Sequence, residues 1–345
     1  MSRFICLCGG GTGGHLVPNL AVYQELERCG WLPYFLIPNN SFDLDFCSQK
    51  GLRYKKISYG KLVSGSPLFV AWKILYSILQ VGLIFLKDRP RSVLGTGGYG
   101  SFPVYICAVL WRLPLFILEP NRICGKVNRW FAPFARAVFT SEMGTERIPR
   151  LKNLIRTGNP LPYKCIEPTH EGECLLVFGA SQGASSINRF IDNWLRRLGE
   201  ELPVLVVWIT GRGEFSQYRS RRLEGKIEVY DYLNDMEFQY RRATLALTRA
   251  GAGTISELKT FRIPAVLVPY PHHQDRQQYL NAGELIQSGA CLLKEETDLD
   301  LDSGNDFLTP LLRSGAEIKR MREAFPPILK PDEVRTRIVE RILNC

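Results

Sequence analysis

The most constraining feature of the sequence is a glycine-rich stretch, Gly9–His15, that joins a short apolar run to a helix-length segment. The apolar run, Phe4–Cys8, is typical of a buried strand, and residues 16–28 are typical of a helix. Glycines in such a turn permit positive φ angles and close approach of the main chain, so that N–H groups and the positive helix end can face an anion. The stretch therefore predicts a phosphate-binding turn.

The same glycines also fit G-x-G-x-x-G, the pattern of dinucleotide-binding domains. A dinucleotide site needs an acidic residue about 20 residues further on, at the end of the second strand, to hold the ribose. The second apolar run, residues 34–37, ends instead in Pro38-Asn39-Asn40, and the nearest acids, Asp43 and Asp45, follow several residues later. This spacing argues against a nicotinamide oxidoreductase.

Short apolar runs alternate with helix-length amphipathic segments along the chain, which predicts α/β domains with parallel sheets. A length of 345 residues fits about two domains. Residues 153–173, rich in proline and glycine, predict a linker between them, and residues 331–345 predict a final helix. The candidate strands are residues 4–8, 34–37, 54–57, 92–94, 115–118 and 137–139 before the linker, and 174–178, 204–209, 227–229, 245–247, 265–268 and 291–293 after it.

Glycine turns follow four of these candidate strands, two in each domain, at residues 9–14, 95–101, 179–184 and 249–254. Any single one could be only a tight connection. Ligands of open parallel sheets bind beyond the carboxyl ends of the strands. Four such turns therefore predict a cleft between two domains that binds two phosphorylated substrates, or one in each domain.

Charge and cysteine content limit the partners. The 44 basic and 34 acidic residues give a net charge of +10, which favours a polyanion or an anionic membrane surface. The sequence has no basic stripe with interleaved aromatic residues and no zinc-finger spacing, so we expect no nucleic-acid partner. Ten scattered cysteines, without a C-x-x-C pair and mostly in apolar runs, indicate a reducing, cytoplasmic location.

Residues 68–86 form the most hydrophobic stretch of the chain. Its 19 residues would permit a transmembrane helix, but Lys73, Tyr76, Ser77 and Gln80 share one narrow helical face. We therefore expect a helix that packs on the sheet or lies in a membrane interface. Tryptophans beside cations suit an anionic headgroup layer, although core packing is an alternative for each. The predicted membrane contacts are Trp72, Lys73, Leu75, Leu79 and Trp111.

Five motifs occur in order along nearly the whole chain. They are Gly-Gly-Thr-Gly-Gly-His at 10–15, Gly-Gly-Tyr at 97–99, Gly-Ala-Ser-Gln-Gly-Ala at 179–184, Ala-Gly-Ala-Gly-Thr-Ile-Ser-Glu at 250–257 and Asp-Arg-Gln-Gln-Tyr at 275–279. The set resembles the MurG family of peptidoglycan N-acetylglucosaminyltransferases, within glycosyltransferase family 28. The resemblance implies a GT-B fold: two Rossmann-like, doubly wound parallel-sheet α/β domains that face a central cleft, with the last helix returning to the first domain.

The same resemblance implies an inverting transfer of GlcNAc from UDP-GlcNAc to the 4-hydroxyl of MurNAc-(pentapeptide)-diphosphoryl-undecaprenol (lipid I), which gives lipid II for peptidoglycan synthesis. The enzyme would be peripheral on the cytoplasmic face of the bacterial inner membrane. Residues 1–157 with 333–345 would bind the acceptor and the membrane, and residues 158–332 would bind UDP-GlcNAc. The alternatives are another GT-B enzyme, such as a glycolipid glycosyltransferase or a UDP-GlcNAc epimerase, and a non-catalytic nucleotide-sugar-binding membrane module.

His15 is the candidate catalytic base. It lies at the mouth of a predicted helix, where the dipole disfavours the imidazolium and keeps the ring neutral, as a general base requires. It would deprotonate the acceptor hydroxyl as the bond to UDP breaks. The alternative is that His15 only caps its helix.

Glu257 is the central candidate of the donor site, because a carboxylate can accept both hydroxyls of a ribose. We expect it in the first turn of a helix, near the positive end. The resemblance places Leu233 at the uracil, Ser181 at the donor phosphates, and Gln277 with Gln278 at the sugar hydroxyls. The predicted donor set is Thr12, Gly13, Gly14, Asn121, Ser181, Leu233, Ala252, Gly253, Thr254, Glu257, Gln277 and Gln278, and the predicted acceptor-diphosphate set is Gly11, Thr12, Gly13, Gly14, Gly97, Gly98 and Tyr99.

The chain departs from the family pattern in two places. Leu118-Glu119-Pro120-Asn121 replaces His-Glu-Gln-Asn, and the linker has Pro162 where the family has a donor-site arginine. Arg249 or Arg276 is a candidate replacement for that charge. We expect donor affinity to be the property most altered.

Two segments match the D-x-D pattern of metal-dependent sugar transferases, Asp43-Leu44-Asp45 and Asp298-Leu299-Asp300-Leu301-Asp302. Neither follows a glycine turn, so we interpret both as surface charge. Because N–H groups and helix ends can stabilise departing UDP without an ion, we expect no metal and no cofactor.

Overall fold

Two parallel sheets organise the chain. The computed structural model describes residues 3–11, 13–58, 67–141, 144–149, 151–163, 174–179, 183–199, 201–233, 235–272, 275–300 and 306–344. It divides into unit 1, Met1–Lys164 with Leu329–Cys345, and unit 2, Cys165–Ile328. The functional domains assigned from the sequence, with limits at 157/158 and 332/333, stay a prediction.

The sheet of unit 1 consists of β1 (Phe4–Cys8), β2 (Leu32–Pro38), β3 (Tyr54–Ile57), β4 (Ser92–Gly95), β5 (Leu115–Glu119), β6 (Ala137–Thr140) and β7 (Leu154–Arg156). The helices are α1 (Gly13–Arg28), α2 (Ser41–Gln49), α3 (Pro67–Asp88), α4 (Phe102–Leu110) and α5 (Lys126–Phe131). The strand order is β3-β2-β1-β4-β5-β6-β7. Because the order reverses between β1 and β4, the topological switch point lies there.

The sheet of unit 2 consists of β8 (Cys174–Phe178), β9 (Leu205–Ile209), β10 (Ile227–Tyr230), β11 (Leu245–Thr248), β12 (Ala265–Leu267) and β13 (Cys291–Leu293). The helices are α6 (Ser185–Leu198), α7 (Phe215–Tyr218), α8 (Met236–Arg242), α9 (Ala252–Phe261), α10 (Gln277–Gln287), α11 (Leu308–Arg313) and α12 (Gly315–Glu323). The strand order, β10-β9-β8-β11-β12-β13, places the switch point between β8 and β11.

The last helix, α13 (Pro331–Leu343), belongs to unit 1 and confirms the predicted return to the first domain. Its buried residues recur at helical spacing on one face, and they share a core with apolar residues of α1. The buried residues of α13 in this core are Val334, Ile338, Val339 and Ile342.

The apolar runs predicted the strands because both faces of a parallel sheet are covered, which selects continuous rather than alternating hydrophobicity. β5, β6 and β8 are buried at every position. The predicted linker start is wrong at residues 154–156, which form β7 and pair with β6. This strand has only three residues, and they are partly exposed. It therefore lacks the apolar run that predicts a buried strand, whereas the prolines and glycines after it predict a linker.

Candidate active site

The four glycine turns lie in pairs at the two switch points. In unit 1 the turns after β1 and β4 are neighbours, because these strands pair with Cys8 opposite Gly95. In unit 2 the turns after β8 and β11 are neighbours, with Phe178 opposite Thr248. Open α/β sheets bind ligands at such points. Each unit therefore brings together two turns that the sequence separates by many residues.

The turn after β8 requires glycine because it folds closely onto the next strand connection. Gly183 has a φ of +80°, and a Cβ there would lie 2.3 Å from the carbonyl oxygen of Thr210. A Cβ on Gly179 would lie 2.2 Å from the nitrogen of Ala184. A side chain therefore cannot be accommodated at either position. Ser181, predicted at the donor phosphates, lies outside the described residues.

His15, in the first turn of α1, is oriented by the turn after β4. Its Nδ1 lies 3.0 Å from the carbonyl oxygen of Thr96. Because a carbonyl only accepts, Nδ1 carries the proton of the neutral ring and Nε2 keeps its lone pair. Burial lowers the pKa of His15 below its ordinary value, although the carboxylates of Glu119 and Asp43 oppose this shift. The ring is therefore neutral at pH 7, with Nε2 available as a base.

Buried polar side chains connect His15 to β5. The Asn128 amide donates to the Thr96 carbonyl at 3.3 Å and to Glu119 Oε2 at 2.9 Å. Glu119 is 2% exposed, and its Oε1 accepts from the main-chain and side-chain N–H groups of Asn121, both at 3.1 Å. Sequence analysis missed Thr96 and Asn128 and gave Glu119 no role. An acid at the end of an apolar strand was the one available signal.

The predicted acceptor-diphosphate residues differ in their accessibility. Gly11 is exposed, with a φ of +86°, and Tyr99 is 59% exposed. Gly98 lies beside the catalytic candidate, since a Cβ on it would lie 3.5 Å from Nε2 of His15. Gly97 is buried against Asn128. Of the remaining predicted residues, Gly13 and Gly14 begin α1, and Thr12 lies outside the described residues.

The prediction that Asp43 is a surface charge is wrong. It is fully buried beneath the first glycine turn, and the N–H of Gly11 donates to both of its carboxylate oxygens. The anion that this N–H faces in the structure is therefore the protein's own carboxylate. Asp45, two residues on, is exposed.

The other D-x-D segment forms its own turn. Asp298 Oδ2 accepts from the N–H of Glu295 at 2.9 Å. Within the described ranges, no group of three or more His, Cys, Asp or Glu side chains could hold a metal ion. The metal-independent reaction stays a prediction.

Glu257 lies in the second turn of α9, so the predicted first-turn position is wrong. The helix begins at Ala252 because Gly251 provides the extended N-cap conformation directly after the β11 turn. Ala252, Gly253 and Thr254 thus form the first turn instead. Glu257 is 9% exposed, and its Oε2 accepts from the hydroxyl of Tyr240 at 2.7 Å. The tyrosine fixes the direction of the carboxylate.

Leu233, predicted at the uracil, follows Tyr232 in the loop after β10. Burial raises the pKa of Tyr232. The charge of Arg212 opposes this shift, and the carboxylate of Glu257 adds to it. Leu233 itself is half-buried.

Gln278 braces the turn after β11. Its Oε1 accepts from the main-chain N–H groups of Ala250, at 3.2 Å, and of Tyr270, at 2.9 Å. It therefore joins the β11 turn to the loop after β12. Gln277, the first residue of α10, is half-buried.

Arg249 is a second brace of the same turn. Its guanidinium pairs with Glu296, whose pKa is lowered because the bonds from Ser186 and Arg249 outweigh the effect of burial. It also donates to the carbonyl oxygens of Val268, at 3.2 Å, and Pro269, at 3.3 Å. At 7% exposure, this arginine serves the protein's own carbonyl and carboxylate groups.

Arg276 remains the better candidate for the charge absent at Pro162. It is exposed at the N-cap of α10, beside Gln277, and lies over the ring of Tyr279 at 4.2 Å. The residues on either side of Pro162 have main-chain oxygens that accept from Arg335 of α13.

Helix α3 buries one apolar side and exposes another. Two of its polar side chains contact Ser58: Ser77 donates to its carbonyl at 3.1 Å, and Gln80 accepts from its N–H at 2.8 Å. Length and composition alone would let 20 of its residues, Phe69–Asp88, cross a membrane. Yet one side, with Val81 and Phe85, is buried in unit 1. The exposed side contains Phe69, Trp72, Leu75, Tyr76, Leu79, Leu83 and Leu86.

Two further predicted membrane residues lie beside this face. The ammonium of Lys73 lies over the ring of Phe69, 4.4 Å from its centroid. Trp111, at the end of α4, packs on Gly82 and is 41% exposed. An apolar face with a cation and tryptophans beside it is typical of an interaction surface rather than a core.

The fold and the paired turns define the class of protein. Two doubly wound parallel-sheet units, each with glycine turns at its switch point, form a glycosyltransferase of the GT-B fold. Residues 5–140 match the glycosyltransferase family 28 N-terminal domain, and residues 174–330 match the family 28 C-terminal domain. The chain belongs to glycosyltransferase family 28, and the resemblance that the motifs indicated is confirmed.

Curated relatives carry the name UDP-N-acetylglucosamine–N-acetylmuramyl-(pentapeptide) pyrophosphoryl-undecaprenol N-acetylglucosamine transferase. The relative from Methylococcus capsulatus is 34% identical over 319 residues, which cover 87% of each chain. The relative from Shewanella oneidensis is 32% identical over 338 residues, 92% of this chain and 91% of its own. That from Carboxydothermus hydrogenoformans is 30% identical over 370 residues, with 99% and 98% covered.

Solved structures show the same fold. The crystal structure of Acinetobacter baumannii MurG matches with a TM-score of 0.73 at 21% identity, covering 99% of both chains. CalG4, the calicheamicin glycosyltransferase, matches with a TM-score of 0.68 at 14% identity, covering 99% of this chain and 98% of its own. The predicted GT-B fold is confirmed.

Proposed function

We propose that this chain transfers GlcNAc from UDP-GlcNAc to the 4-hydroxyl of MurNAc-(pentapeptide)-diphosphoryl-undecaprenol, producing lipid II for peptidoglycan synthesis. The observation that carries the proposal is His15: a neutral imidazole, oriented through Nδ1, whose basic Nε2 adjoins two glycine turns at a switch point. The names of the relatives supply the substrates.

The chemistry assigned to unit 1 is proton removal. Nε2 of His15 takes the proton of the acceptor hydroxyl as its oxygen attacks the anomeric carbon of GlcNAc. The bond from that carbon to the β-phosphate oxygen breaks, and UDP leaves with the electron pair. Attack opposite to the leaving group inverts the anomeric centre. We assign the acceptor diphosphate to the main chain of Gly13 and Gly14, at the positive end of α1, and of Gly98, because the N–H of Gly11 already donates to Asp43.

Donor binding is assigned to unit 2. The carboxylate of Glu257, held by Tyr240, would accept the ribose hydroxyls, and the main chain at Leu233 would bind uracil. The first turn of α9 offers N–H groups and a positive helix end to the diphosphate. Because Gln278 Oε1 already accepts two main-chain N–H groups, we assign its amide N–H groups, and Gln277, to the sugar.

The experiment that tests this proposal is incubation of the protein with radiolabelled UDP-GlcNAc and a lipid I analogue. We expect label in a lipid-linked disaccharide, and none when the muramoyl acceptor is omitted. Transfer to other glycolipids only, or acceptor-independent conversion of UDP-GlcNAc, would contradict the assignment and favour another GT-B enzyme. Repeating the assay with a chelator checks that the reaction needs no metal. Transfer that is lost with the chelator and restored by manganese would contradict this expectation.

We further propose that the protein binds the cytoplasmic face of the bacterial plasma membrane peripherally, through the exposed face of α3. Burying several large apolar side chains in the interface supplies the free energy, and Lys73 adds attraction to anionic lipids. The double change of Leu75 and Leu79 to Gln should reduce binding to anionic liposomes severalfold without changing UDP affinity.

The matched control for the membrane test is Leu280→Gln, a leucine that is 38% exposed on α10 of unit 2. It should leave liposome binding unchanged. Equal binding by the double variant and the control would mean that α3 is not the membrane surface.

A further inference from the structure

The first glycine turn is hydrogen-bonded to α2 through the buried carboxylate of Asp43. The N–H of Gly11 donates to Asp43 at 2.9 Å from Oδ1 and 3.0 Å from Oδ2, although the two residues lie 32 positions apart. Asn40 Nδ2 donates to Oδ2 at 2.7 Å. The carboxylate is 0% exposed, and a buried charge is tolerated only with such bonds.

Helix capping does not explain this carboxylate. The N-cap of α2 is Asn40, whose Oδ1 accepts from the N–H of Asp43 at 2.9 Å. The main chain of Asp43 thus completes the cap, and its side chain points instead at the glycine turn. There it is packed so closely that a Cβ on Gly10 would lie 2.4 Å from Oδ2. The carboxylate therefore holds the turn as well as the capping side chain of Asn40.

The fastened turn adjoins the proposed base. His15 lies four residues after Gly11 in the sequence. The main-chain oxygen of Gly10 would lie 3.6 Å from a Cβ on Gly98. Such a Cβ would also lie 3.5 Å from Nε2 of His15. A shift of the turn would therefore change the space in which the acceptor hydroxyl has to meet Nε2.

We propose that Asp43 is a positioning residue for the transfer reaction: its carboxylate holds Gly10–Gly11 in place and sets the electrostatic environment of His15. This inference rests on the proposed function of His15 as the base. Asp43 touches neither the base nor a substrate, so it acts through the turn and through its charge.

Among the residues that the structure describes, two carboxylates act electrostatically on His15. Glu119, on β5, and Asp43, on α2, both raise the pKa of the ring against the larger effect of burial. Asp43 itself is faced by the amide of Asn40, the N–H of Gly11, His15 and the thiol of Cys47. Removing the charge of Asp43 should therefore lower the pKa of His15 further.

The test compares Asp43→Asn with Asp45→Asn. Both changes remove one negative charge from α2, but Asp45 is exposed. In Asp43→Asn an amide group replaces one acceptor oxygen, so a donor faces either Gly11 or Asn40. We expect kcat to fall at least about tenfold, within the hundredfold that a misplacement of about 1 Å can cost. The acidic limb of the kcat/KM profile should move to lower pH, and Asp45→Asn should match the wild type.

A readout without substrates separates this inference from the function on which it rests. The chain has only four histidines, so the NMR titration of His15 can be assigned with a His15→Gln variant. We expect Asp43→Asn to lower the His15 midpoint while UDP affinity stays at the wild-type value. Absence of transfer by the wild type would refute the proposed function, yet the titration would still decide the role of Asp43.

Two outcomes would overturn the inference. One is an Asp43→Asn variant with wild-type kcat and wild-type His15 titration. The other is a variant with a lower melting temperature and lower kcat but an unmoved His15 midpoint, because that combination describes a packing role only.

Discussion

The two switch points of this molecule have the same topology. They differ in the side chains that hold their glycine turns. In unit 1 the glycine turns are held by buried carboxylates, Asp43 beneath the first turn and Glu119 behind the second. In unit 2 the turn after β11 is held by a guanidinium and an amide, those of Arg249 and Gln278. The same fold thus offers two electrostatic environments.

The difference suits the chemistry proposed for each unit. Carboxylates near an imidazole increase its proton affinity and so offset part of the loss caused by burial, as the proposed role of His15 as a base requires. In unit 2 the turn assigned to the donor is held by a guanidinium and an amide, which add no negative charge of their own. We infer that the bracing residues, rather than the glycines, distinguish the base-bearing turn pair from the donor-binding pair.

The change with the largest expected effect is His15→Ala. It removes the base from unit 1 and leaves unit 2 intact, so kcat should fall by about 10²–10⁴-fold, the usual contribution of a positioned base. The dissociation constant for UDP, measured by calorimetry, should stay unchanged. Gln24→Ala, nine residues further along α1, is the control and should retain wild-type turnover. Retained turnover in His15→Ala would remove the catalytic distinction between the units.

Glu257→Gln tests the donor side and should have the next largest effect. Hydrogen bonds to a charged group contribute about 1.5–3 kcal/mol, so UDP-GlcNAc should bind about 10-fold to 100-fold more weakly. The NMR titration of His15 should not move, because the change lies in unit 2. Glu317→Gln, on α12, removes the same charge far along the chain from α9 and should bind the donor normally. Unchanged donor affinity in Glu257→Gln would end its assignment to the ribose.

The pH dependence of the wild type should show the smallest effect. Since burial places the pKa of His15 below its ordinary value of 6.5, the base stays deprotonated at pH 7 and kcat/KM should be flat there. Below the His15 pKa the rate should fall about tenfold per pH unit as the ring gains a proton. A limb at or above pH 7, or a limb that persists in the residual activity of His15→Ala, would assign the titration to another group.

The motifs predicted more of this site than the hydrophobic pattern did. Glycine turns are local signals, because the need for a positive φ or an absent Cβ is set by a few neighbouring residues. They located both switch points, and the family resemblance located Glu257 within α9. The resemblance did not give the turn of the helix in which Glu257 lies, since that depends on where Gly251 ends the preceding loop.

Helix α3 shows the limit of periodicity. Its polar residues fall on one narrow face in the sequence, which in a soluble helix would face water. In the fold, Ser77 and Gln80 bind the main chain at Ser58, Val81 and Phe85 are buried, and a second apolar side is exposed. A hydrophobic pattern identifies two sides of a helix but not which one the rest of the chain covers.

The sequence by itself determined the two α/β domains, the glycine turns, the family and the histidine at the mouth of α1, because each rests on residues close together in the chain. Only the tertiary structure decided that Asp43 is buried beneath Gly11, that Asn128 links Glu119 to Thr96, and that Arg249 is committed to Glu296. These contacts join residues brought together by the pairing of strands and the packing of helices, and no local pattern specifies which side chains will meet there.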